Sequence, residues 1–462
     1  MTVVRAAGSY RDPGGFLYWR DGILYRQINE SCADAFAAFE DSGLYKELAD
    51  SKSLVEHETV STALAASPGA CSVIKPRLIE TISYPYEWSF SQLKDAALLT
   101  LDIQDKALRK NFSLKDASAY NVQFDNGHPV FIDTLSFDHY EEGKPWVAYG
   151  QFCRHFLAPL ALMAHVDINL NELLRTNIDG IPLTLAAKLL PTGVLLSPSM
   201  AMHIWMHARS EQRAQQNRGS DQAARGNFSR NAFHGLIDSL RKAVTRLEWK
   251  PGGTEWFDYY EANNNYGDSG LEAKERLVRA HLEHFQPTSV WDLGGNTGRF
   301  SRIAVDVGAS VVCFDIDPAC VESNYLHIKT NSETGLLPLL MDLGNPSPAL
   351  GWDSSERNSL ADRGPVDLLM ALGLVHHLAI GINVSFDMIA KMFSHLARDL
   401  IVEFIPRGDS QIDKLLSSRK DVFSDYHEDK FRKAFGTYFN IVRSDPIPGT
   451  KRTLYAMTAR TN

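Results

Sequence analysis

The sequence predicts an α/β chain: a mostly parallel sheet of seven strands in the second half, preceded by a smaller α+β part. Two observations carry this. After about residue 285, short apolar runs alternate with helical stretches, the pattern of a parallel sheet covered on both faces. Before it, residues 209–230 (RSEQRAQQNRGSDQAARGNFSR) are nearly free of large apolar side chains and cannot bury a core, which predicts a linker. The expected division is a first domain over 1–208, a linker over 209–230, and a second domain over 231–462 with a helical lead-in.

In chain order, Phe16–Trp19 and Ile23–Gln27 flank Arg20-Asp21-Gly22, a hairpin signal. A helix over 33–49, an extended stretch over 72–84 and a helix over 91–110 follow. A second hairpin pairs Asn121–Phe124 with Pro129–Asp133 through Asp125-Asn126-Gly127, and the rest to His207 is mainly helical. The second half opens with an amphipathic helix over 231–247 and an aromatic segment (Trp256, Phe257, Tyr259, Tyr260, Tyr266). Of these, Trp256, Tyr259, Tyr260 and Tyr266 read equally as a lid over a ligand or as plain packing. After a helix over 271–285, the apolar runs are 290–293, 311–315, 336–341, 366–372 and 400–405. A final pair, near 439–442 and 453–457, lacks a long helix between its members and predicts an antiparallel edge hairpin.

Composition narrows the function classes. Lys plus Arg is 47 and Asp plus Glu is 56, a formal charge of −9, which gives no overall pull toward nucleic acid. The longest apolar stretch, Phe156–Val166, is too short to span a bilayer, and the N-terminus has no apolar core of signal length. Five scattered cysteines argue against a disulfide framework and fit a cytoplasmic protein.

The most informative segment is Val290-Trp-Asp-Leu-Gly-Gly-Asn-Thr-Gly298. A strand ends in Asp292, turns through Gly294 and Gly295, and enters a helix near Gly298, so backbone can approach a ligand at a strand's carboxyl end. The next strand ends in Asp315, an acid suited to accept both hydroxyls of a ribose. The spacing misses G-x-G-x-x-G, and an acid before the first glycine disfavours a pyrophosphate but suits a cationic sulfonium.

Here the sequence resembles class I S-adenosylmethionine-dependent methyltransferases and their Rossmann-like sheet. Their first motif matches at Asp292, Gly294 and Gly298 and departs at Asn296, where glycine is usual; Asn tolerates the left-handed backbone. The resemblance implies a cofactor site of Asp292, Gly294, Gly295, Asn296, Gly298, Asp315, Ile316, Asp342 and Leu343, with Asp342 at the adenine. Val366–Leu378 resembles the fourth strand, ending in His376 and His377. Adjacent strand residues point to opposite faces, so one histidine is expected to pack and the other to act as general base; no Cys/His set accompanies them to hold zinc.

The first half carries a second constellation: Asp116, Asn121 five residues on, and Asp133 twelve further, after the second hairpin. It resembles the catalytic and metal-binding loops of protein kinases and small-molecule phosphotransferases. That resemblance implies a reduced kinase-like fold with Ile82–Trp88 as its hinge, an Mg²⁺ site at Asn121 and Asp133 for Mg-ATP, and Arg26 or Lys75 as the cation facing the phosphates. The family's histidine is replaced by Leu114 and no glycine-rich loop precedes the first strands, so a degenerate lobe recruited for substrate binding is expected. Over nearly its full length, through Ser83–Asp95 and Leu157–Ala161, the chain is similar to bacterial methyltransferases, some labelled nodulation proteins. The function expected is methylation of a small-molecule or glycan acceptor; the alternatives are a bifunctional kinase–methyltransferase and a non-catalytic cofactor-binding protein.

Overall fold

The computed structural model describes residues 2–216, 228–254, 256–257, 267–417 and 422–460. The chain forms two units, Met1–Trp249 with Leu350–Arg357, and Lys250–Ala349 with Asn358–Asn462.

In the first unit, β1 (Val3–Arg5), β2 (Gly15–Arg20), β3 (Ile23–Asn29), β4 (His57–Val60) and β5 (Ala70–Pro76) form an antiparallel sheet in the order β1-β2-β3-β5-β4. Asp21 and Gly22 both take positive φ, 49° and 82°, as a tight hairpin turn requires. The strands that patterning missed, β1 and β4, are the sheet's two edges; they are short and largely exposed, so no apolar alternation marks them. The helix expected over 33–49 is two helices, Glu30–Asp41 and Leu44–Asp50, separated at Gly43 in the left-handed conformation. The second hairpin, β7 (Val122–Asp125) with β8 (His128–Phe131), turns through Asn126 and Gly127, and β6 (Phe112–Leu114) pairs with β9 (Phe137–His139).

The expected domain boundary shifts. Helix Arg230–Arg246 belongs to the first unit, not to the second as a lead-in. It packs on helix Phe90–Arg109, burying Phe233, Ile237 and Leu240, and His234 Nδ1 lies 2.9 Å from Asp105. An amphipathic helix joins whichever core faces its apolar stripe, and sequence position does not name that core. Of the expected linker, 209–216 continues a helix and 217–227 lies outside the described residues.

The second unit is a seven-stranded sheet in the order β12-β11-β10-β13-β14-β16-β15. Its strands are β10 (Ser289–Leu293), β11 (Ser310–Asp315), β12 (Leu336–Leu340), β13 (Val366–Ala371), β14 (Ala397–Phe404), β15 (Phe439–Pro446) and β16 (Thr453–Ala459). β10 to β14 are parallel; β16 runs antiparallel to β14 and to β15, so the last pair is the expected edge hairpin. This is a Rossmann-like sheet with an antiparallel pair at one edge. Val290, Val311, Leu336, Leu368 and Ile401 pack under helix Gly267–Phe285 and helix Arg299–Asp306 in one apolar cluster. The chain leaves β10 first toward β11 and later returns on the other side to β13, so a crevice opens at the carboxyl ends between them. No helix among the described residues is long and apolar enough to cross a membrane.

Candidate active site

A cavity of about 220 Å³ fills that crevice. Of the expected cofactor residues, Gly294, Asn296, Asp315, Ile316, Asp342 and Leu343 line it. Asp292, Gly295 and Gly298 do not; they build the loop from behind. Asp292 is buried and accepts a hydrogen bond from Ser301 at 2.6 Å, tying the strand's end to the next helix. Burial raises its carboxyl to about 6, against the lowering effects of Ser301 and Lys274. A Cβ on Gly295 would stand 2.5 Å from Cys313 Sγ and 2.8 Å from Asp292 Oδ2, so close approach demands glycine there. Gly298 caps helix Arg299–Asp306 with φ 81°.

Asn296 explains the departure from the usual glycine. It takes φ 53°, its N–H donates to Asp315 Oδ2 at 2.7 Å, and its side-chain amide donates to the Trp256 carbonyl at 2.8 Å. Asp315 accepts a second backbone bond, from Asp317 at 2.9 Å. Burial nonetheless raises its carboxyl to about 6. The Ile316 N–H adds to these bonds, and with two lone pairs on each oxygen the carboxylate keeps acceptor capacity for a ligand hydroxyl. Ile316 is 58% exposed, a large apolar side chain turned to the cavity beside that acid. Asp342 is exposed and accepts the Gly344 N–H within its own turn at 2.7 Å.

The histidines differ from the expected arrangement. β13 ends at Ala371, Gly373 turns with φ 66°, and His376 and His377 lie on the helical turn beyond it. They do not point to opposite faces of a strand. Their rings are 4.0 Å apart and both line the cavity. His376 is 2% exposed and neither ring nitrogen has a protein partner. Burial, with the nearby His377, Arg452 and Lys274, holds it well below the ordinary imidazole range. Burial and Lys414 push His377 down to about 4, so both rings are neutral at neutral pH. Trp256 meets His377 edge to face at 4.8 Å; of the other residues proposed as a lid, Tyr259, Tyr260 and Tyr266 lie outside the described residues.

Lys274 was missed. From helix Gly267–Phe285 it reaches the cavity and donates to Glu403 at 2.8 Å, both side chains almost fully buried. Arg452 lies 3.6 Å from Glu403 and pairs with Asp409 at 2.8 Å, extending a buried alternation of charge. The signal was present: Leu271, Lys274 and Val278 share one helix face, so Lys274 interrupts an otherwise apolar stripe.

In the first unit, Asp116 bonds the Ser118 N–H at 2.8 Å, and burial raises its carboxyl. Asp133 pairs with Arg26 at 2.5 Å. Asn121 donates a long bond, 3.5 Å, to Ser136. Lys75 is half-exposed and pairs with Glu58 on the neighbouring strand, so it does not meet Asp133. Residues 82–88 are held by Gln123, whose amide accepts from the Ser83 N–H at 2.8 Å and donates to the Ser83 carbonyl at 3.0 Å. Among the described residues no group of three His, Cys, Asp or Glu is placed to hold a metal ion.

No family model matches the chain. Nodulation protein NoeA of Rhizobium meliloti (strain 1021) is 35% identical over 458 residues, 98% of this chain and 95% of that protein. Among solved structures, magnesium protoporphyrin IX methyltransferase (ChlM) from Synechocystis PCC 6803, with bound SAH, is 19% identical; the match covers 44% of this chain and 91% of that one, with a TM-score of 0.31. The bifunctional kinase-methyltransferase WbdD is 14% identical over 46% of this chain and 45% of its own, with a TM-score of 0.30.

Proposed function

We propose, for a chain that belongs to the NoeA nodulation-protein family, that the second unit is an S-adenosylmethionine-dependent methyltransferase. One observation carries the reading: ribose-type, adenine-type and proton-accepting groups, from the ends of β11, β12 and β13, converge on a single cavity. The donor set fits the cofactor. Asp315 offers its carboxylate to vicinal hydroxyls, Ile316 offers an apolar face to a purine, and Asp342 offers an acceptor to an exocyclic amine. Lys274, which lines the same cavity as Gly294, offers the cation for an aminoacyl carboxylate. The cofactor, when bound, supplies an electrophilic methyl on a sulfonium.

The chain's own part is to hold the acceptor and take its proton. Neutral His377, half-buried, accepts that proton and can pass it to solvent. His376, with both nitrogens unspent, bonds the acceptor and orients it. The acceptor we assign is a small molecule or a glycan, not nucleic acid, on the net charge of −9. Production of S-adenosylhomocysteine from purified protein and extracts of the producing cells tests the activity, and mass spectrometry of the methylated fraction identifies the acceptor. Binding of S-adenosylhomocysteine without turnover of any extract would leave a cofactor-binding protein instead.

A further inference from the structure

Asp116, Asn121 and Asp133 invite a divalent cation and a nucleoside triphosphate, but the donor set does not fit them. A metal-binding aspartate must turn free oxygen lone pairs toward the ion. Both Asp133 oxygens already carry partners, and Oδ1 has both of its lone pairs engaged. Oδ1 receives Arg26 Nη2 at 2.5 Å and the Leu135 N–H at 3.3 Å, and Oδ2 receives the Ser136 hydroxyl. The Ser136 hydroxyl also accepts from the Asn121 amide, and Asn121 hydrogen-bonds Asp116, so the three residues are tied to one another and to Ser136. Burial alone would raise the Asp133 carboxyl; the charge and hydrogen bond of Arg26, with Ser136, bring it below its ordinary value.

Arg26 is not an accidental neighbour. β3 lies inside the sheet, pairing Arg26 with Leu17 on β2 and with Ile74 on β5, so its backbone is held on both sides. The residue is 8% exposed. A guanidinium buried there without a carboxylate would be costly, and so would Asp133 without a cation. The pair also joins the sheet to the segment following β8, two parts of the unit that no strand pairing connects through β3.

We propose that the Arg26 guanidinium fills the role of the divalent cation in this unit, making the Asp116–Asn121–Asp133 constellation a cation-independent latch that takes neither Mg²⁺ nor a Mg²⁺-bound nucleoside triphosphate. The latch holds the β1–β5 sheet against the body of the same unit in one fixed arrangement.

The probe is Mn²⁺ alone, followed by its paramagnetic resonance signal on the full-length chain, with thermal melting alongside. The wild type should bind no stoichiometric Mn²⁺, and Mg²⁺, with or without ATP, should leave its melting temperature unchanged. Arg26→Met removes the internal cation and keeps the volume apolar. It should melt lower, gain Mn²⁺ affinity by about tenfold or more, and recover stability on adding the ion. Stoichiometric Mn²⁺ in the wild type that disappears in Asp133→Asn overturns the proposal. So does a folded Arg26→Met variant with no gain in Mn²⁺ affinity. If Arg26→Met does not fold, the wild-type and Asp133→Asn measurements decide alone. None of these readings involves methyl transfer, so failure here and failure of the methyltransferase reading are distinguishable.

Discussion

Asp315 concentrates the residue-scale argument. Its carboxyl is raised from 3.8 to about 6 by burial. A raised acid contributes stability that is full below pH 3.8 and is lost as pH climbs through 6, so the ligand-free site is least favourable where the carboxylate is ionised. The ionised form is the better acceptor for ribose hydroxyls. Cofactor affinity should therefore rise between about pH 4 and pH 6 and level off above. Asp315→Ala should lose about 10- to 150-fold in affinity at pH 7.5, the loss of charge-assisted hydrogen bonds worth roughly 1.5–3 kcal/mol. Calorimetry with S-adenosylhomocysteine across this range checks both; a flat wild-type profile, or an unaffected variant, would remove Asp315 from the site. The histidines separate by parameter. His377→Asn should lower kcat by roughly 10²–10⁴ with S-adenosylhomocysteine affinity intact, whereas His376→Asn should mainly raise KM for the acceptor. Steady-state kinetics on the identified acceptor distinguishes them, and equal, wild-type parameters in both variants would return the pair to a packing role.

At the scale of elements, the β10 loop is a packing problem solved by glycine. Gly295 faces Cys313 on β11 and the Asp292 carboxylate, with no room for a methyl group. Gly295→Ala should cost about 1–3 kcal/mol through overpacking and displace Asn296, weakening cofactor binding as well. Melting temperature and calorimetry on the same preparation should show both losses together; loss of neither would mean the strand moves freely. Element boundaries were the least legible feature. The motif Asp292 to Gly298 is local, and its strand–turn–helix form could be read from spacing alone. The end of β13 could not, because Leu372, Leu374 and Val375 continue its apolar run while Gly373 turns the backbone away from the ladder.

On the scale of the whole molecule, the chain leaves the second unit after β12, contributes Leu350–Arg357 to the first, and returns before β13. Glu356 anchors that excursion. It is buried, and Arg11 reaches both its oxygens, at 2.6 and 3.0 Å, with Tyr10 donating at 3.1 Å. Arg357 then stacks over Tyr120, next to Asn121. Glu356→Gln keeps the shape and removes the charge, and should destabilise the first unit by about 1–2 kcal/mol. Hydrogen exchange should show the loosening at residues 8–11 and 350–357; exchange unchanged there would make the ion pair incidental.

Sequence alone determined what is local in the chain: the two Asp/Asn-Gly hairpins, the glycine loop with its flanking acids, the strand–helix alternation and the edge pair. Each rests on backbone preferences or on periodicity within a dozen residues. Tertiary structure decided what depends on partners distant in sequence. It assigned helix Arg230–Arg246 to the first unit, moved both histidines to one wall, and brought Lys274 to the cavity 129 residues before its partner Glu403. It also paired Asp133 with Arg26 rather than Lys75. The physical reason is common to the helix, Lys274 and the Asp133–Arg26 pair. A buried charge or an apolar face is stable only against a complementary group, and the fold determines which group that is.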